Sequence, residues 1–215
     1  FLMEAMWSRF LPAVQRSKAH LSRDALGKIE RAEVCLFYNR DYDPENRLFN
    51  PKLGGGVLHD LGVYPISIAA YFFGTPELVS SEWFAAPNGV NIRSTLDVTC
   101  SGVPVHIEVG FGDERDNSFD IFGEKGALRI DRHFLRSEKV TIWDKYQPTL
   151  PPATGSLTVK LRNKLGLHGG KTERFESHGT GLHFQASAVQ AALGQGLKEH
   201  PVMPLDQSAQ VLSII

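Results

Sequence analysis

The sequence has few of the features that mark several large classes of protein. Its 215 residues include only two cysteines, Cys35 and Cys100, too few for a disulfide framework, so a reducing cytoplasm is the expected compartment. The formal net charge is -1, which leaves no basic surface for nucleic acid. The chain also lacks an uninterrupted apolar run of about 18 residues, so we expect no membrane partner.

Motifs for metals and dinucleotides are scarce as well. The eight histidines are scattered and form no short-spaced set with carboxylates or thiols, so the sequence predicts no metal site. One Gly-x-Gly precedes a predicted helix, in HGTGLHF at His178–Phe184. Phe184 occupies the place of the third glycine and no predicted strand precedes the motif. It therefore does not indicate a dinucleotide site.

The most informative stretch is Lys52–Gly74, KLGGGVLHDLGVYPISIAAYFFG. It is apolar on nearly every side, which is typical of a buried helix. Its few polar groups fall at i, i+4, i+7 and i+11, which places them in one stripe; they are Asp60, Tyr64, Ser67 and Tyr71. A carboxylate and a phenol one turn apart on such a helix need partners or a pocket.

Two interpretations of this stripe remain open from the residues alone. It could line a pocket, or it could belong to a core helix whose acid pairs locally and whose tyrosines reach the surface. The glycines Gly54–Gly56 allow backbone or ligand to approach closely because they carry no Cβ. Pro65 favours a kink, with Asp60 near the helix start.

The rest of the chain divides into a helix–strand beginning and a β-rich middle. Trp7–Asp24 has helical apolar spacing with Pro12 in its first turn, and Lys28–Asn39 alternates like a strand. After Pro76 come six short β-like runs: Leu78–Ala86, Ile92–Ser101, Val103–Phe111, Ser118–Gly123, Ala127–Arg132 and Lys139–Trp143. The turns between them are of hairpin length, which predicts antiparallel pairing.

The final third is predicted to be a loop followed by two helices. Tyr146–Lys171 is rich in Pro, Gly, Lys and Thr, whereas Leu182–Leu193 and Leu205–Ile215 have helical patterns. Together these elements predict one α+β domain over residues 1–215, an open, mostly antiparallel sheet with helices on one face.

The second face of this sheet is predicted to be partly apolar. Apolar residues occupy both alternations of several strands, among them Phe84, Val98, Val105, Ile107, Phe119 and Ile121. One buried face does not need so many, so the pattern predicts homo-oligomerisation through the sheet.

Four stretches resemble one known family. They are GGGVLHDLGVYPI at Gly54–Ile66, EAMWSRFLPAV at Glu4–Val14, RLFNPKLGGG at Arg47–Gly56 and EHPVMPLDQS at Glu199–Ser208. Together they are similar to the C-terminal domain of the glucose–fructose oxidoreductase/inositol dehydrogenase (Gfo/Idh/MocA) family. A tyrosine at Tyr64, where many members carry histidine, resembles the branch of dihydrodiol dehydrogenase, xylose dehydrogenase and glucose–fructose oxidoreductase.

The resemblance implies a function for the whole protein. This chain would be the substrate-binding and catalytic half of an NAD(P)-dependent oxidoreductase acting on a sugar, polyol or dihydrodiol hydroxyl. The chain opens in mid-pattern at Phe1, and the resemblance places a Rossmann domain that binds NAD or NADP before that point. Dimers or higher homo-oligomers are common in the family. The alternative is a non-catalytic binding or dimerisation module derived from it.

The resemblance also implies roles for single residues. Tyr64 would donate or accept the proton, and Asp60 would orient a lysine of the Rossmann domain or the substrate hydroxyl. Trp7 and Arg9 would face the cofactor–substrate cleft. Arg9 could clamp a carboxylate, hydroxyls or a phosphate, or it could be an exposed arginine at a helix start.

The remaining candidates near the cleft are weaker. Gly55 and Gly56 belong to the motif itself, and His183 lies where the family chain passes the pocket again. Arg47 stands ahead of the glycines and is expected to pin that loop. For Tyr64 the structural alternative is a hydroxyl that finds any backbone partner.

Overall fold

The computed structural model describes residues 1–112, 115–152, 157, 158, 161, 165, 169–176 and 179–215. Its strands are β1 Ile29–Tyr38, β2 Pro76–Ala85, β3 Asn91–Cys100, β4 Val103–Phe111, β5 Phe119–Gly123, β6 Gly126–Ile130, β7 Lys139–Trp143 and β8 Lys171–Arg174. Among the described residues they form one eight-stranded sheet in the order β2-β3-β4-β1-β5-β6-β7-β8. β2 and β8 are its edges.

The sheet is mostly antiparallel, as predicted. The β1·β4 pair is parallel, and the other neighbours in the strand order pair antiparallel. The parallel pair arises because the chain leaves β1, crosses a helix and the β2–β3 hairpin, and returns beside β1 as β4. A long crossover of this kind is what parallel pairing requires.

Four α-helices lie in the described part of the chain: α1 Pro12–Ser22, α2 Val63–Phe73, α3 Leu182–Gly194 and α4 Leu205–Leu212. α1 and α2 pack directly on the sheet, whereas α4 contacts α2 and α3 contacts the 3₁₀ turn Trp7–Phe10. The predicted layer of helices on one face is therefore confirmed for α1 and α2. Pro12 is the first residue of α1, where a missing N–H costs nothing.

The central helix starts with one wide turn. Leu58–Gly62 forms a π turn that leads directly into α2, and Pro65 is the third residue of α2. The irregularity that the sequence assigned to Pro65 therefore appears one turn earlier. A proline leaves the carbonyl four residues before it without its helical donor, and a π turn absorbs such a mismatch without a sharp bend.

The segment Pro51–Phe73 is long and apolar enough to cross a membrane by length and composition, with a hydropathy of 1.2. In this fold 61% of its most apolar window is buried inside the protein. Ile66, Ile68 and Ala69 have no exposed surface. The segment thus packs as a core helix between the sheet and α4.

The six residues predicted to divide between two apolar faces of the sheet do not do so. Val98, Val105, Ile107, Phe119 and Ile121 are at most 1% exposed and all belong to the core beneath the helices. The strand register explains this, because it places Val98 opposite Val105 and Leu96 opposite Ile107, so all point to one face. Of the six residues, only Phe84 is exposed, at 59%; it lies on the edge strand.

The open face of the sheet carries charge instead. Asp120 and Arg129 form a buried bidentate pair across β5 and β6, with Nε–Oδ1 and Nη2–Oδ2 distances of 2.7 and 2.5 Å. On β4, Glu108 pairs with Arg115. Cys35 lies on the same face as a free thiol whose pKa burial raises to about 11. This face therefore carries paired charges beside a small apolar cluster of Phe122, Ala127 and Trp143.

Candidate active site

The site is built on the loop that enters the central helix. Two 3₁₀ turns, Arg47–Phe49 and Pro51–Leu53, follow one another, and each begins at an asparagine. The Oδ1 of Asn46 accepts the N–H of Leu48, and the Oδ1 of Asn50 accepts the N–H of Lys52, both at 3.0 Å. Side-chain acceptors of this kind satisfy the amides that a helical start leaves unpaired.

The three glycines fold back onto these turns. The amides of Gly54, Gly55 and Gly56 donate to the carbonyls of Pro51, Asn50 and Leu48 at 3.3, 2.9 and 2.9 Å. A Cβ at Gly55 would lie 2.8 Å from the carbonyl oxygen of Arg47, closer than real contacts allow.

Gly55 is therefore needed because backbone, and not ligand, approaches it. Gly56 is buried with a φ of +133°. The amides of the Gly54–Gly56 turn are bonded within the loop, so the turn has no donors left to cradle a phosphate. Backbone approach is therefore found at Gly55, while Gly54–Gly56 also line a cleft of about 500 Å³.

Asp60 and Arg47 form an ion pair at the helix entrance. The Nη2 of Arg47 donates to the Oδ1 of Asp60 at 2.6 Å, and the two side chains are 59% and 25% exposed. The amide of Asp60 donates to the carbonyl of Gly56 at 3.2 Å, which fixes its backbone in the first turn. The interpretation of an acid that pairs locally is thus confirmed, and the carboxylate still reaches solvent.

Tyr64 follows one turn later and is partly exposed. Its ring packs against the small apolar cluster of Met6, Phe10 and Met203. In the described part of the chain its hydroxyl has no hydrogen-bond partner. A phenol with a packed ring and a free hydroxyl can bind a substrate oxygen without breaking an existing bond.

Trp7 and the start of α3 lie close together. Gly181 precedes α3 with a φ of +86°, and a Cβ there would lie 3.6 Å from Cζ3 of Trp7. Phe184 packs against the same cluster as Tyr64, and the exposed His183 ring lies 4.1 Å from the Phe184 ring. The structure therefore brings Tyr64 and Trp7 near the start of α3, where His183 lies.

Arg9 occupies a place that neither sequence interpretation anticipated. Its side chain is completely buried. Nε donates to Oγ of Ser67 at 2.8 Å, Nη2 to the carbonyl of Ser67 at 2.6 Å, and Nη1 to the carbonyl of Val202 at 2.9 Å and Oε1 of Gln207 at 2.5 Å. Burial lowers the pKa of its guanidinium to about 10. Arg9 is thus neither an exposed arginine nor, in this structure, a residue open to the cleft.

Tyr71 completes this buried network. Its hydroxyl donates to Oε1 of Gln15 at 3.1 Å, and the guanidinium of Arg9 lies 5.5 Å from its ring centre. Burial raises the pKa of Tyr71 above its usual value. The second half of the polar stripe is therefore used inside the domain. Sequence reasoning missed Val202 and Gln207, although EHPVMPLDQS was noted as a family-like stretch.

The HGTGLHF motif begins outside the described residues, at His178. Its described part leads into α3, and β8 ends at Arg174 shortly before it. The expectation that no strand precedes the motif is therefore wrong. β8 is nevertheless an antiparallel edge strand paired with β7, whereas a dinucleotide turn needs a parallel strand.

The domain has two larger clefts, and the one beside the glycine turn includes the candidate residues Gly55 and Gly56. One of about 500 Å³ lies beside the glycine turn and is lined by Gly56, His59, Trp83 and Asn91 among others. The other, of about 630 Å³, lies on the open sheet face beside Glu33, Glu108 and Arg129. Neither is lined by Asp60 or Tyr64, although both residues are partly exposed.

Comparison with known proteins shows the family and the fold of this chain. The family model "GFO/IDH/MocA C-terminal domain" matches residues 14–129, more than half of the chain. The trans-1,2-dihydrobenzene-1,2-diol dehydrogenase of Xenopus tropicalis is 32% identical over 220 residues, which cover 100% of this chain and 61% of the relative. The chain thus spans about three-fifths of the length of the curated relatives that it matches.

Solved structures with the same fold are more distant in sequence. An aldose-aldose oxidoreductase from Caulobacter crescentus, complexed with glycerol, has a TM-score of 0.77 at 18% identity, over 99% of this chain and 59% of that one. KijD10, a 3-ketoreductase from Actinomadura kijaniata in complex with NADP and TDP-benzene, has a TM-score of 0.72 at 19% identity, over 98% and 58%. These likenesses show the fold.

Proposed function

This chain belongs to the GFO/IDH/MocA family, and we propose that it is the substrate-binding and catalytic half of an NAD(P)-dependent oxidoreductase. The reaction is hydride transfer between a nicotinamide and the hydroxyl-bearing carbon of a sugar, polyol or dihydrodiol. The observation that carries the proposal is the arrangement of Asp60 and Tyr64, one turn apart and both reaching solvent. A relative named as a dihydrodiol dehydrogenase supports the substrate class.

Tyr64 is the proton donor and acceptor in this proposal. In reduction, the phenol O–H of Tyr64 gives its proton to the carbonyl oxygen of the substrate as the hydride reaches the carbon; in oxidation, the phenolate of Tyr64 takes the hydroxyl proton as the hydride leaves. The ring packing against Met6, Phe10 and Met203 fixes the direction of the hydroxyl. Because no described group competes for that hydroxyl, a substrate oxygen can take the open position.

Asp60 supplies a negative charge beside this proton path. Its carboxylate is held by Arg47 at 2.6 Å on one side and is solvent-accessible on the other. The accessible side could orient the substrate hydroxyl or a lysine of the Rossmann domain. Trp7 and His183 would form the walls of the cleft on the side of α3.

The candidate residues can face the nicotinamide ring of a cofactor, but the described glycine turns do not bind its pyrophosphate. The amides of the Gly54–Gly56 turn are bonded within their loop, and β8 ahead of α3 is antiparallel, so neither turn holds a pyrophosphate. When bound, NAD or NADP takes the hydride from the alcohol carbon. We propose that a Rossmann domain in the whole protein binds most of the cofactor.

The whole protein tests the proposal directly. It should reduce NADP⁺ or NAD⁺ with at least one member of a panel of trans-dihydrodiols, D-xylose, D-glucose and myo-inositol. If the folded protein neither oxidises these alcohols nor reduces the matching carbonyl compounds, the alternative of a non-catalytic binding or dimerisation module is favoured. Product analysis identifies the oxidised carbon.

The 215-residue chain by itself should bind dinucleotide weakly. In its described residues no parallel strand leads directly into a glycine turn and a helix, because two 3₁₀ turns separate the parallel strand β1 from Gly54–Gly56, so phosphate groups have no dedicated site. Calorimetry with NAD and NADP measures this affinity. Micromolar binding by either cofactor would contradict the division of labour proposed here.

We also propose that the protein is cytoplasmic and forms homodimers or higher oligomers through the open sheet face. That face is charged, with Glu33, Glu108 and Arg115 around its cleft, so the interface would rest on polar complementarity. Light scattering at tens of micromolar should detect the dimer and its weakening by salt. A strict monomer at that concentration would count against it.

A further inference from the structure

We propose that Arg47 is a positioning residue of the active site, which holds the Asp60 carboxylate in place next to Tyr64. We also propose that a glycine is required at position 55 because only a residue without a Cβ lets the loop close so that Arg47 can reach Asp60. Arg47 acts through Asp60 and touches no substrate. The inference rests on the proposed function and assigns a role to a residue that otherwise would only pin a loop.

Side-chain packing and a hydrogen bond hold the backbone of the turn that contains Arg47. Phe49, in the same 3₁₀ turn, is 2% exposed and packs edge-on against Tyr42 and Phe111, with ring centres 5.4 and 5.2 Å away. The Nδ2 of Asn88 donates to the carbonyl of Phe49 at 2.6 Å. The turn that carries Arg47 is therefore fixed to the β2–β3 end of the sheet.

The glycine turn contacts the turn that contains Arg47 and connects it to the start of the central helix. Gly55 lies against the carbonyl of Arg47 and the backbone of Asn50, where a Cβ would stand 2.8 Å from each. The amide of Gly56 reaches the carbonyl of Leu48, and its own carbonyl accepts the amide of Asp60. The start of the central helix is thus bonded to the turn of Arg47, and the two side chains meet.

The pair holds the carboxylate through charge and direction. Arg47 is the side-chain partner that the described part of the chain gives to the Asp60 carboxylate. Without it, the carboxylate could rotate freely into solvent. A misplacement of about 1 Å near the reacting atoms can cost about 10²-fold in rate, whereas an ion pair this exposed contributes little to folding stability.

The test compares three variants of the whole protein. Arg47→Gln should lower kcat by about 10- to 10²-fold, with KM and the melting temperature nearly unchanged. Arg47→Lys, which keeps the charge without the fork geometry, should recover part of kcat. Lys52→Gln is the matched control. It removes the same charge from an exposed residue of the same loop, one with no carboxylate partner in the described part of the chain.

A substitution at Gly55 tests the position of Arg47 without changing its charge. Gly55→Ala puts a methyl group against backbone and should push Arg47 away from Asp60. It should therefore lower kcat in the same direction as Arg47→Gln, and the double variant should be little worse than either single one. Added guanidinium ion should restore part of the activity of Arg47→Ala, because the site is open to solvent.

Two readouts separate this inference from the proposed function. If wild type is active and Arg47→Gln turns over at the wild-type rate, the inference is overturned and the function stands. If wild type oxidises no substrate, the proposed function fails. Crystal structures of wild type and Arg47→Gln then decide the inference alone: a displaced or disordered Asp60 carboxylate supports it, and an unmoved one overturns it.

Discussion

The two ends of the central helix carry the same kinds of side chain and use them in opposite ways. At the entrance, Asp60 and Tyr64 reach solvent, and the hydroxyl of Tyr64 has no partner in the described part of the chain. In the middle and at the far end, Ser67 and Tyr71 bond to buried Arg9 and to Gln15. One sequence stripe thus contains the candidate site and a structural network.

The difference shows that helical spacing alone does not identify a functional group. Polar side chains in a buried stripe are satisfied wherever a partner exists inside the domain. The entrance is different because the domain gives the Asp60 carboxylate one charged partner and leaves its outer side open. Tyr64 and Tyr71, the same residue type on one helix, are therefore a matched pair for experiments.

The largest effect should come from Tyr64→Phe in the whole protein. The change removes one hydroxyl and little volume, so folding should survive. General acid–base catalysis typically contributes about 10²–10⁴-fold, and turnover should fall by that factor with cofactor affinity nearly unchanged. Steady-state kinetics measures it. Turnover within about threefold of wild type, well below that contribution, would show that the hydroxyl of Tyr64 takes no part in catalysis and that the two ends of the helix do not differ in this respect.

Arg9→Leu should have the next largest effect, on stability. It leaves the carbonyls of Ser67 and Val202 and the amide oxygen of Gln207 without their donor. Buried groups left unpaired cost about 1–3 kcal/mol each, so we expect the free energy of unfolding to fall by about 3 kcal/mol. Urea denaturation measures it. An unchanged midpoint would mean that Arg9 is not a structural residue, and a changed KM would return it to the cleft.

Asp60→Asn sharpens the comparison from the charge side. It keeps the shape of the side chain but removes the partner of Arg47, so turnover should fall, by about tenfold if Asp60 orients and does not transfer the proton. Its effect on stability should stay below about 1 kcal/mol because the pair is exposed. Kinetics and thermal melting on the same preparation separate the two. A fall of more than about 1 kcal/mol in the free energy of unfolding, with turnover unchanged, would show that Asp60 has a structural role.

Tyr71→Phe should have the smallest effect and is the control for Tyr64→Phe. It removes one hydrogen bond, to Gln15, while the ring stays over Arg9 and Lys18. The expected cost is about 0.5–1.5 kcal/mol of stability, with turnover unchanged. Equal losses of turnover in both tyrosine variants would show that the two ends of the helix do not differ in function.

The sequence predicted most of the sheet because alternation and turn signals are local. Val103–Phe111 and Lys139–Trp143 have the predicted bounds, and the other predicted strands differ by one or two residues at their ends. β8, Lys171–Arg174, was missed because its residues are polar and its burial pattern lacks alternation. A short edge strand gains its structure from its neighbour and not from its own pattern.

The sequence named the residues of the candidate site one by one but did not predict how they are arranged. Asp60, Tyr64 and Arg47 were each identified, yet the bond between Arg47 and Asp60 depends on how the loop between them folds. Arg9 was misplaced because its partners Val202 and Gln207 are 193 and 198 positions away. No local pattern predicts contacts of that separation. The apolar residues of the strands were likewise assigned to two faces because the register could not be known.

The bonds of Arg9 also set an order for folding during synthesis. Arg47 and Asp60 are 13 positions apart, and the turn of Arg47 is fixed by Asn88 and Phe111, so this pair can be held once residue 111 has left the ribosome. Arg9 must wait for Val202 and Gln207, almost the whole chain. Contacts between distant residues form late because their loop must first close. A nascent chain would thus hold the Asp60 carboxylate in place at a stage when Arg9, beside the middle of the same helix, still lacked Val202 and Gln207.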